Sequence, residues 1–172
     1  MGSKSHKAEL DKITPVINKL LLKNPSFCFE SFGVNLNLSS FDKTIHKRIK
    51  FREAVSGYQE FMIKLNNLGW WVGLAPLFNN EFNKCKTICK WIEYTECNVP
   101  MISSKVKPYV NLGINDLIKN ALNNKEWEEK ILLLINNKSE RNKLITKSNN
   151  YIKENYSSLK AAERMEKIFD II

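Results

Sequence analysis

The sequence predicts an α/β fold in which helices flank a parallel sheet. The first observation is the stretch 70–104, where an apolar run, a polar loop, an amphipathic segment and a second apolar run follow one another. This order indicates a βαβ unit, whose two strands are parallel. The second observation is that helical and extended patterns alternate upstream of this unit. The third is that the chain after residue 127 has the apolar spacing of helices.

The length and composition indicate one domain. The chain has 172 residues, of which 43% are hydrophobic and 26% are charged, as in ordinary globular proteins. We expect a single domain over 1–172, divided into a loop at 1–6, an α/β core at 7–155 and a C-terminal helix at 156–172. The sequence contains no apolar run long enough to span a membrane, and 1–15 lacks the apolar core of a secretion signal. We therefore expect a cytoplasmic protein.

The chain is strongly basic, with 27 basic and 18 acidic residues and a net charge of +9. Such a charge suits nucleic acid or anionic lipid. The basic residues are scattered, however, and the densest patch is 46–48 with Lys50 and Arg52. Two interpretations stay open: a general bias toward Lys and Asn, or a basic surface that meets phosphate or the anionic inner face of a membrane. Aromatic residues are not interleaved with Arg, so we expect no specific nucleic-acid partner.

The four cysteines do not predict a metal site. Without a secretion signal, Cys28, Cys85, Cys89 and Cys97 are expected to be reduced thiols. Cys85 and Cys89 are spaced by one helical turn and could form half of a zinc site. The chain offers only two histidines and no second close cysteine pair, so we expect no metal.

Upstream of the βαβ unit the sequence predicts a helix over 7–22, because its apolar residues recur at helical spacing. Pro15 interrupts this helix, so we expect a kink, or a restart with Thr14 as cap and Pro15 at the first helical position. Alternating aromatic and small residues then predict a strand over 26–34. The remaining upstream elements are a loop at 35–43, a weak strand at 45–51 and a helix at 58–68 that Gly69 ends.

Within the βαβ unit we expect a strand at 70–77, a loop at 78–83, one helix at 84–96 and a strand at 99–103. The segment 114–122 is ambiguous and is helical by pattern. The downstream elements are a turn at Pro108, helices at 127–136 and 139–154, and a last helix capped by Ser157 or Ser158.

Five short motifs follow one another between residues 73 and 109: GLAPL at 73–77, FNKCKT at 82–87, KWIEY at 90–94, NVPMISS at 98–104 and PY at 108–109. Their order and spacing resemble the C-terminal, donor-binding domain of GT-B nucleotide-sugar glycosyltransferases of the group 1 type. GSKSH at 2–6 and Arg141 extend the resemblance more weakly. The resemblance implies a Rossmann-like parallel sheet flanked by helices, with further C-terminal helices. It also implies a short extended segment within 114–122.

Lys86, Lys90 and Glu93 are spaced so that they would share one face of the predicted helix. From spacing alone, this is a solvated face with a Lys90–Glu93 pair of little energetic weight. The resemblance implies instead that the two lysines meet a diphosphate near a helix N-terminus. Glu93 would then accept hydrogen bonds from the ribose hydroxyls.

The resemblance also implies roles for other residues. Many members of the family have two glutamates seven residues apart, and the first of these positions is occupied here by Cys85, which is not acidic. Glu81 is the nearest acidic residue that could substitute for it. The candidate catalytic residues are therefore Lys86 and Glu81. Two alternatives stay open: the loop at 2–6 is a tag-like N-terminus, and Leu77 is a core residue. The candidate donor-binding residues are Gly2, Ser3, Lys4, His6, Pro76, Leu77, Asn83, Lys86, Thr87, Lys90 and Glu93.

The implied reaction transfers a sugar from a UDP- or GDP-sugar to a cell-envelope glycan or lipid-linked acceptor, with no metal or other cofactor required. In the family the acceptor belongs to an N-terminal domain, and the strand that opens the donor domain precedes the loop at 2–6. We therefore expect a truncated donor-binding half that is inactive alone, with unpaired backbone groups and apolar surface beside the absent strand. The alternatives are a non-catalytic nucleotide-binding or interaction module and a basic nucleic-acid-binding protein.

Overall fold

The computed structural model describes residues 6–110 and 116–169, and it shows an α/β fold with parallel sheets flanked by helices. The fold class expected from the sequence is confirmed. The strands within this part are β1 (Phe29–Phe32), β2 (Ile49–Arg52), β3 (Gly73–Ala75), β4 (Met101–Ser104) and β5 (Lys119–Ala121). The helices are α1 (Lys7–Lys23), α2 (Tyr58–Asn67), α3 (Glu81–Lys84), α4 (Cys89–Glu96), α5 (Asn124–Asn136), α6 (Lys138–Asn155) and α7 (Ser158–Phe169).

The strands form two separate parallel sheets. β1 pairs with β2, and Phe29 lies opposite Ile49. The second sheet has the order β3-β4-β5, in which Gly73 lies opposite Met101. No strand pairing joins β1 to β3 within the described residues. The predicted βαβ unit corresponds to β3, the α3–α4 region and β4, and its parallel pairing is confirmed.

Helices cover both faces of the strands. Side chains of consecutive strand residues point to opposite faces, so Ile102 packs in the core beneath α1 and α5, while Met101 packs with α4. Burial on both faces explains why β3 and β4 lack the alternating polar residues of a half-exposed strand. None of the helices in the described part of the chain is long and apolar enough to cross a membrane.

The predicted restart of the first helix at Pro15 is wrong, because α1 runs without a break from Lys7 to Lys23. The Thr14 hydroxyl does not cap a new helix but donates a hydrogen bond to the Leu10 carbonyl at 3.3 Å. A proline within a helix costs about 3 kcal/mol. Burial of Ile13 and Ile17 on either side offsets this cost, since each buried side chain of this size contributes roughly 1.5–3 kcal/mol.

The single helix predicted at 84–96 is also wrong. The structure instead has the short helix α3 and the longer helix α4, joined by residues 85–88. The Asn80 side chain starts α3 early by accepting a hydrogen bond from the Asn83 backbone N–H at 2.8 Å. Lys86 therefore lies outside both helices and does not share a helix face with Lys90.

Other predicted boundaries change by a few residues. The strand predicted at 26–34 is shorter, and a 3₁₀ segment, Lys43–Arg48, replaces the start of the strand predicted at 45–51. Within 114–122 the helical pattern is wrong and the extended segment implied by the resemblance is confirmed as β5, while 111–115 lies outside the described residues. Gly69, at φ 60°, follows the end of α2 as expected.

Gly73 is required by the close contact between β3 and α4. A Cβ atom at this position would lie 2.7 Å from a ring carbon of Tyr94, a side chain that is fully buried. We predict that Gly73→Ala lowers the free energy of unfolding by about 1–3 kcal/mol, because the added methyl group would displace the buried ring from its packed position. Urea denaturation of this variant in the wild-type and Tyr94→Leu backgrounds measures the effect. The account requires a smaller loss in the Tyr94→Leu background; equal losses would contradict it.

Candidate functional site

The candidate site lies where β3 and β4 end. The Leu77 backbone N–H donates a hydrogen bond to the Ser104 Oγ at 2.9 Å, which joins the chain that leaves β3 to the end of β4. The first turn of α1 reaches the same edge, because Glu9 accepts a hydrogen bond from the side chain of Asn83 in α3. This edge, at the carboxyl ends of parallel strands, is where α/β folds bind ligands.

A buried carboxylate organises this edge. Glu9 is only 5% exposed, and its Oε1 accepts a hydrogen bond from Asn83 Nδ2 at 2.7 Å. Its Oε2 forms a second, short hydrogen bond with His6 Nδ1. Lys86 Nζ lies 3.7 Å from Oε1. Glu9 thus fixes three side chains that come from the start of α1, from α3 and from the connection after α3.

The surroundings of Glu9 keep it ionised. Burial would raise its pKa, but the hydrogen bonds from His6 and Asn83 and the charge of Lys86 together hold the pKa below its usual value. An ionised carboxylate can only accept hydrogen bonds, so the proton of the short contact belongs to His6 Nδ1. Burial, followed by the charge of Lys90, lowers the pKa of His6. His6 is therefore the neutral imidazole at pH 7.

Lys90 is a poorly compensated cation. Burial lowers its pKa to about 8, although the charges of Glu9 and Glu93 act in the opposite direction. Lys86 lowers the pKa further by repulsion. Lys90 makes no direct ion pair with a carboxylate in the described part of the chain. Burial also raises the pKa of Glu93, against the opposing charge of Lys90. A bound anion would supply the missing compensation for Lys90.

Asn83 connects α3 to this cluster and retains an unsatisfied acceptor. Its side chain is almost fully buried, and Nδ2 donates both to Glu9 and to the Phe78 carbonyl at 3.0 Å. Its Oδ1 is buried and has no hydrogen-bond partner within the described residues. A buried polar atom without a partner costs about 1–3 kcal/mol. Asn83 therefore holds the loop after β3 in place at some cost to stability.

The structure brings together several residues that the sequence singled out. His6, Asn83 and Lys86 contact Glu9, and Lys90 interacts electrostatically with both Glu9 and Glu93. We refer to the set His6, Glu9, Asn83, Lys86, Lys90 and Glu93 as the Glu9 cluster.

Other predicted site residues lie outside the Glu9 cluster. Glu81 is exposed and pairs with Lys84 at 2.6 Å. Leu77 is buried in the core, in agreement with the alternative that it is a packing residue, and Pro76 is buried next to it. Thr87 is exposed, and its Oγ1 lies 3.0 Å from Cys89 Sγ. Gly2, Ser3 and Lys4 lie outside the described residues.

Sequence reasoning missed the residue at the centre of the cluster. Glu9 was not a candidate, although it follows His6 by three positions, a spacing that places two side chains together on a helix. Tyr109 was noted only as part of a motif. It is buried, and the negative charges of Glu9 and Glu93 add to burial in raising its pKa, so its hydroxyl stays protonated beside the cluster.

No protein-family model matches the chain, and a comparison with curated proteins found no match. Within the described residues, no group of three or more His, Cys, Asp or Glu side chains is arranged to hold a metal ion. A cavity of about 430 Å³ in this part is apolar and is lined by none of the Glu9 cluster. The fold and the geometry of the Glu9 cluster are therefore the basis for a proposed function.

Lys90 is expected to reduce the stability of the fold. We predict that Lys90→Met raises the free energy of unfolding at pH 7 by about 1–3 kcal/mol, because the side chain keeps its length and loses a charge that burial disfavours. The pKa of Lys90 is lower in the fold than in the unfolded chain, so wild-type stability should rise between pH 8 and 10.5. Chemical denaturation across this range measures both effects. Lys125→Met, on an exposed face of α5, is the matched control, and an equal response of the two variants would contradict the account.

Glu9 is expected to have the opposite effect. We predict that Glu9→Gln lowers the free energy of unfolding at pH 7 by about 1–3 kcal/mol, because a charged acceptor of two buried hydrogen bonds is lost. The pKa of Glu9 is depressed in the fold, so its contribution is present above pH 4.5 and is lost as the pH falls through the folded pKa. The difference in free energy of unfolding between the wild type and Glu9→Gln should therefore become smaller as the pH falls below 4.5. Asp11→Asn, an exposed acid on the same helix, is the control; a similar loss there would argue against a special role for Glu9.

Proposed function

We propose that this chain is the donor-binding half of a nucleotide-sugar glycosyltransferase. The parent reaction would transfer a sugar from a UDP- or GDP-sugar to a cell-envelope glycan or lipid-linked acceptor. The observation that carries the proposal is the half-buried Lys90, whose charge lacks a direct carboxylate partner in the described residues. It lies with Lys86 at the ligand-binding edge of a parallel sheet. Two cations there suit a diphosphate better than a neutral ligand.

In the proposed reaction, the bond between the anomeric carbon of the sugar and the diphosphate breaks, and negative charge grows on the leaving diphosphate. Lys86 and Lys90 would stabilise that charge, which is the largest contribution to catalysis in reactions of this type. The growing negative charge would also raise the pKa of Lys90, which burial lowers to about 8 in the free protein. Glu93 would accept hydrogen bonds from the ribose hydroxyls of the donor.

Glu9 and Asn83 act as positioning residues in this proposal. They do not meet the donor; instead, their hydrogen bond holds the start of α1 against the loop after β3. Lys86 is held by the same carboxylate, which orients its ammonium toward the cluster. The neutral imidazole of His6 offers Nε2 as a hydrogen-bond acceptor and adds no charge that would compete with the lysines.

The proposal assigns the acceptor to a separate domain, so the chain alone should bind the donor without transferring sugar. It places the protein in the cytoplasm, at the inner face of the plasma membrane, where lipid-linked acceptors are found. The net charge of +9 supports contact with anionic lipid there. A non-catalytic nucleotide-binding module would bind the same diphosphate. The two functions would differ only in whether sugar is transferred once an acceptor-binding domain is added.

Calorimetric titration of the chain with UDP, GDP and their glucose and mannose derivatives tests the proposal. We predict binding in the micromolar to millimolar range, weakened by about tenfold or more in Lys86→Ala and in Lys90→Met. A bound diphosphate raises the pKa of Lys90, so wild-type affinity should fall as the pH rises above about 8.

Lys64→Ala is the control for net charge, because Lys64 is exposed on α2 and its ion pair there is with Glu60, at 2.9 Å. Its affinity should equal that of the wild type. An equal loss in this variant would mean that binding is non-specific charge attraction. A folded wild-type chain that binds none of these nucleotides would contradict the proposal.

A further inference from the structure

The edges of β1 and β3 face a common apolar cavity. The cavity has a volume of about 430 Å³, and both strands contribute to it although they are not paired with each other. α1 and α5 close it on one side, and Trp70 and Tyr94 line the other. Its lining includes Phe29 and Ser31 from β1, Leu74 from β3 and Val72 just before it, Leu20 from α1 and Ile135 from α5.

Backbone groups of both strands are directed into this space. The Gly33 N–H donates to the Arg52 carbonyl at 2.8 Å, and the Gly73 N–H donates to the Pro100 carbonyl at 2.9 Å. Successive amides of a strand point to opposite edges. Because Gly33 and Gly73 point to β2 and β4, the backbone groups of Phe32 and Leu74 point away from those partners, to the side on which Glu30 and Leu74 line the cavity. An apolar space with strand edges on two sides is an incomplete sheet.

β1 and β3 run in the same direction. Trp70, just before β3, donates from Nε1 to Glu30 Oε2 in β1 at 2.7 Å, so the beginnings of the two strands lie together. Phe32, at the end of β1, and Ala75, at the end of β3, share one core cluster. A strand placed between them can therefore be parallel to both.

We propose that an extended, apolar peptide segment of a partner inserts between β1 and β3, parallel to both strands, and joins the two sheets into one. Its side chains would alternate between the α1–α5 side and the Trp70–Tyr94 side. A strand that is buried on both faces requires a continuous run of apolar, preferably β-branched, residues. Addition of a strand to an exposed sheet edge is a common mode of peptide recognition.

The strand edges favour a peptide over a small apolar ligand. Only an extended chain presents N–H and C=O groups at strand spacing to two edges at once. One of these groups already has a substitute partner, because the Tyr94 hydroxyl donates to the Leu74 carbonyl at 3.3 Å. An inserted strand would replace this bond with a backbone N–H. The carboxyl end of that strand would arrive at the edge where α1 begins and Glu9 lies.

The probe is a synthetic peptide with a core of about five alternating valine and isoleucine residues, the usual length of a strand. Glutamates at both ends keep it soluble and oppose the net charge of the protein, which is +9. Amide hydrogen exchange by NMR is the measurement. We expect slower exchange at Glu30, Phe32 and Leu74 when the peptide is present. The matched control is the same peptide with a central proline, which removes a ladder donor and should give no protection.

Val72→Phe tests the location. The added volume enters the cavity, so the variant should stay folded and bind the peptide about tenfold more weakly or worse. Ile63→Phe, on the exposed face of α2, should bind as the wild type does. If Val72→Phe does not fold, the comparison of the two peptides on the wild-type chain still decides.

Three results would overturn the proposal. The first is that the proline peptide slows amide exchange as much as the original peptide does, or that neither peptide slows it. The second is protection along the outer edges of β2 or β5 in place of the cavity edges. The third is protection of Phe32 and Leu74 without any peptide in a sample that sediments as a dimer, since the occupant would then be a second copy of this chain.

Discussion

The hydrogen bond between Glu9 and Asn83 determines where the other residues of the site lie. It joins the first turn of α1 to α3, two segments that are far apart in the sequence, and it is made by a buried carboxylate. The same carboxylate binds His6 and attracts Lys86. Loss of its charge would weaken both hydrogen bonds and would remove the electrostatic attraction to Lys86 in the connection between α3 and α4. The geometry of the site therefore depends on one ionised group.

The site also shows an electrostatic conflict that the fold tolerates. Lys90 is half-buried, and burial lowers its pKa to about 8. Its charged form is therefore less stable in the folded protein than in water. The buried Oδ1 of Asn83 adds a second unfavourable group nearby. Features that reduce stability without helping to pack the core are typical of sites that bind a ligand. Here both unfavourable groups lie near the carboxyl ends of the parallel strands, the edge where α/β folds generally bind ligands.

Local patterns in the sequence were sufficient for the fold class and for the parallel βαβ unit, because apolar runs and loops mark parallel strands directly. They could not predict the break between α3 and α4, because the apolar pattern there is that of one continuous helix. The structure instead starts α3 at the cap formed by Asn80. Glu9 could not be identified, because its importance comes from a long-range contact with Asn83. Within the described residues β1 and β3 are not paired with each other, and an apolar cavity lies between them.

The central claim is that Lys90 is a partly buried cation whose charged form a bound anion would stabilise. The pKa of Lys90 can be measured directly. NMR titration of the side chain, labelled with ¹³C at Cε, should be made on the free protein and on the protein saturated with pyrophosphate. The account predicts a pKa near 8 in the free protein and a higher value with pyrophosphate bound. A value near 10.5 that pyrophosphate leaves unchanged would show that Lys90 is an ordinary solvated lysine, and would contradict the account.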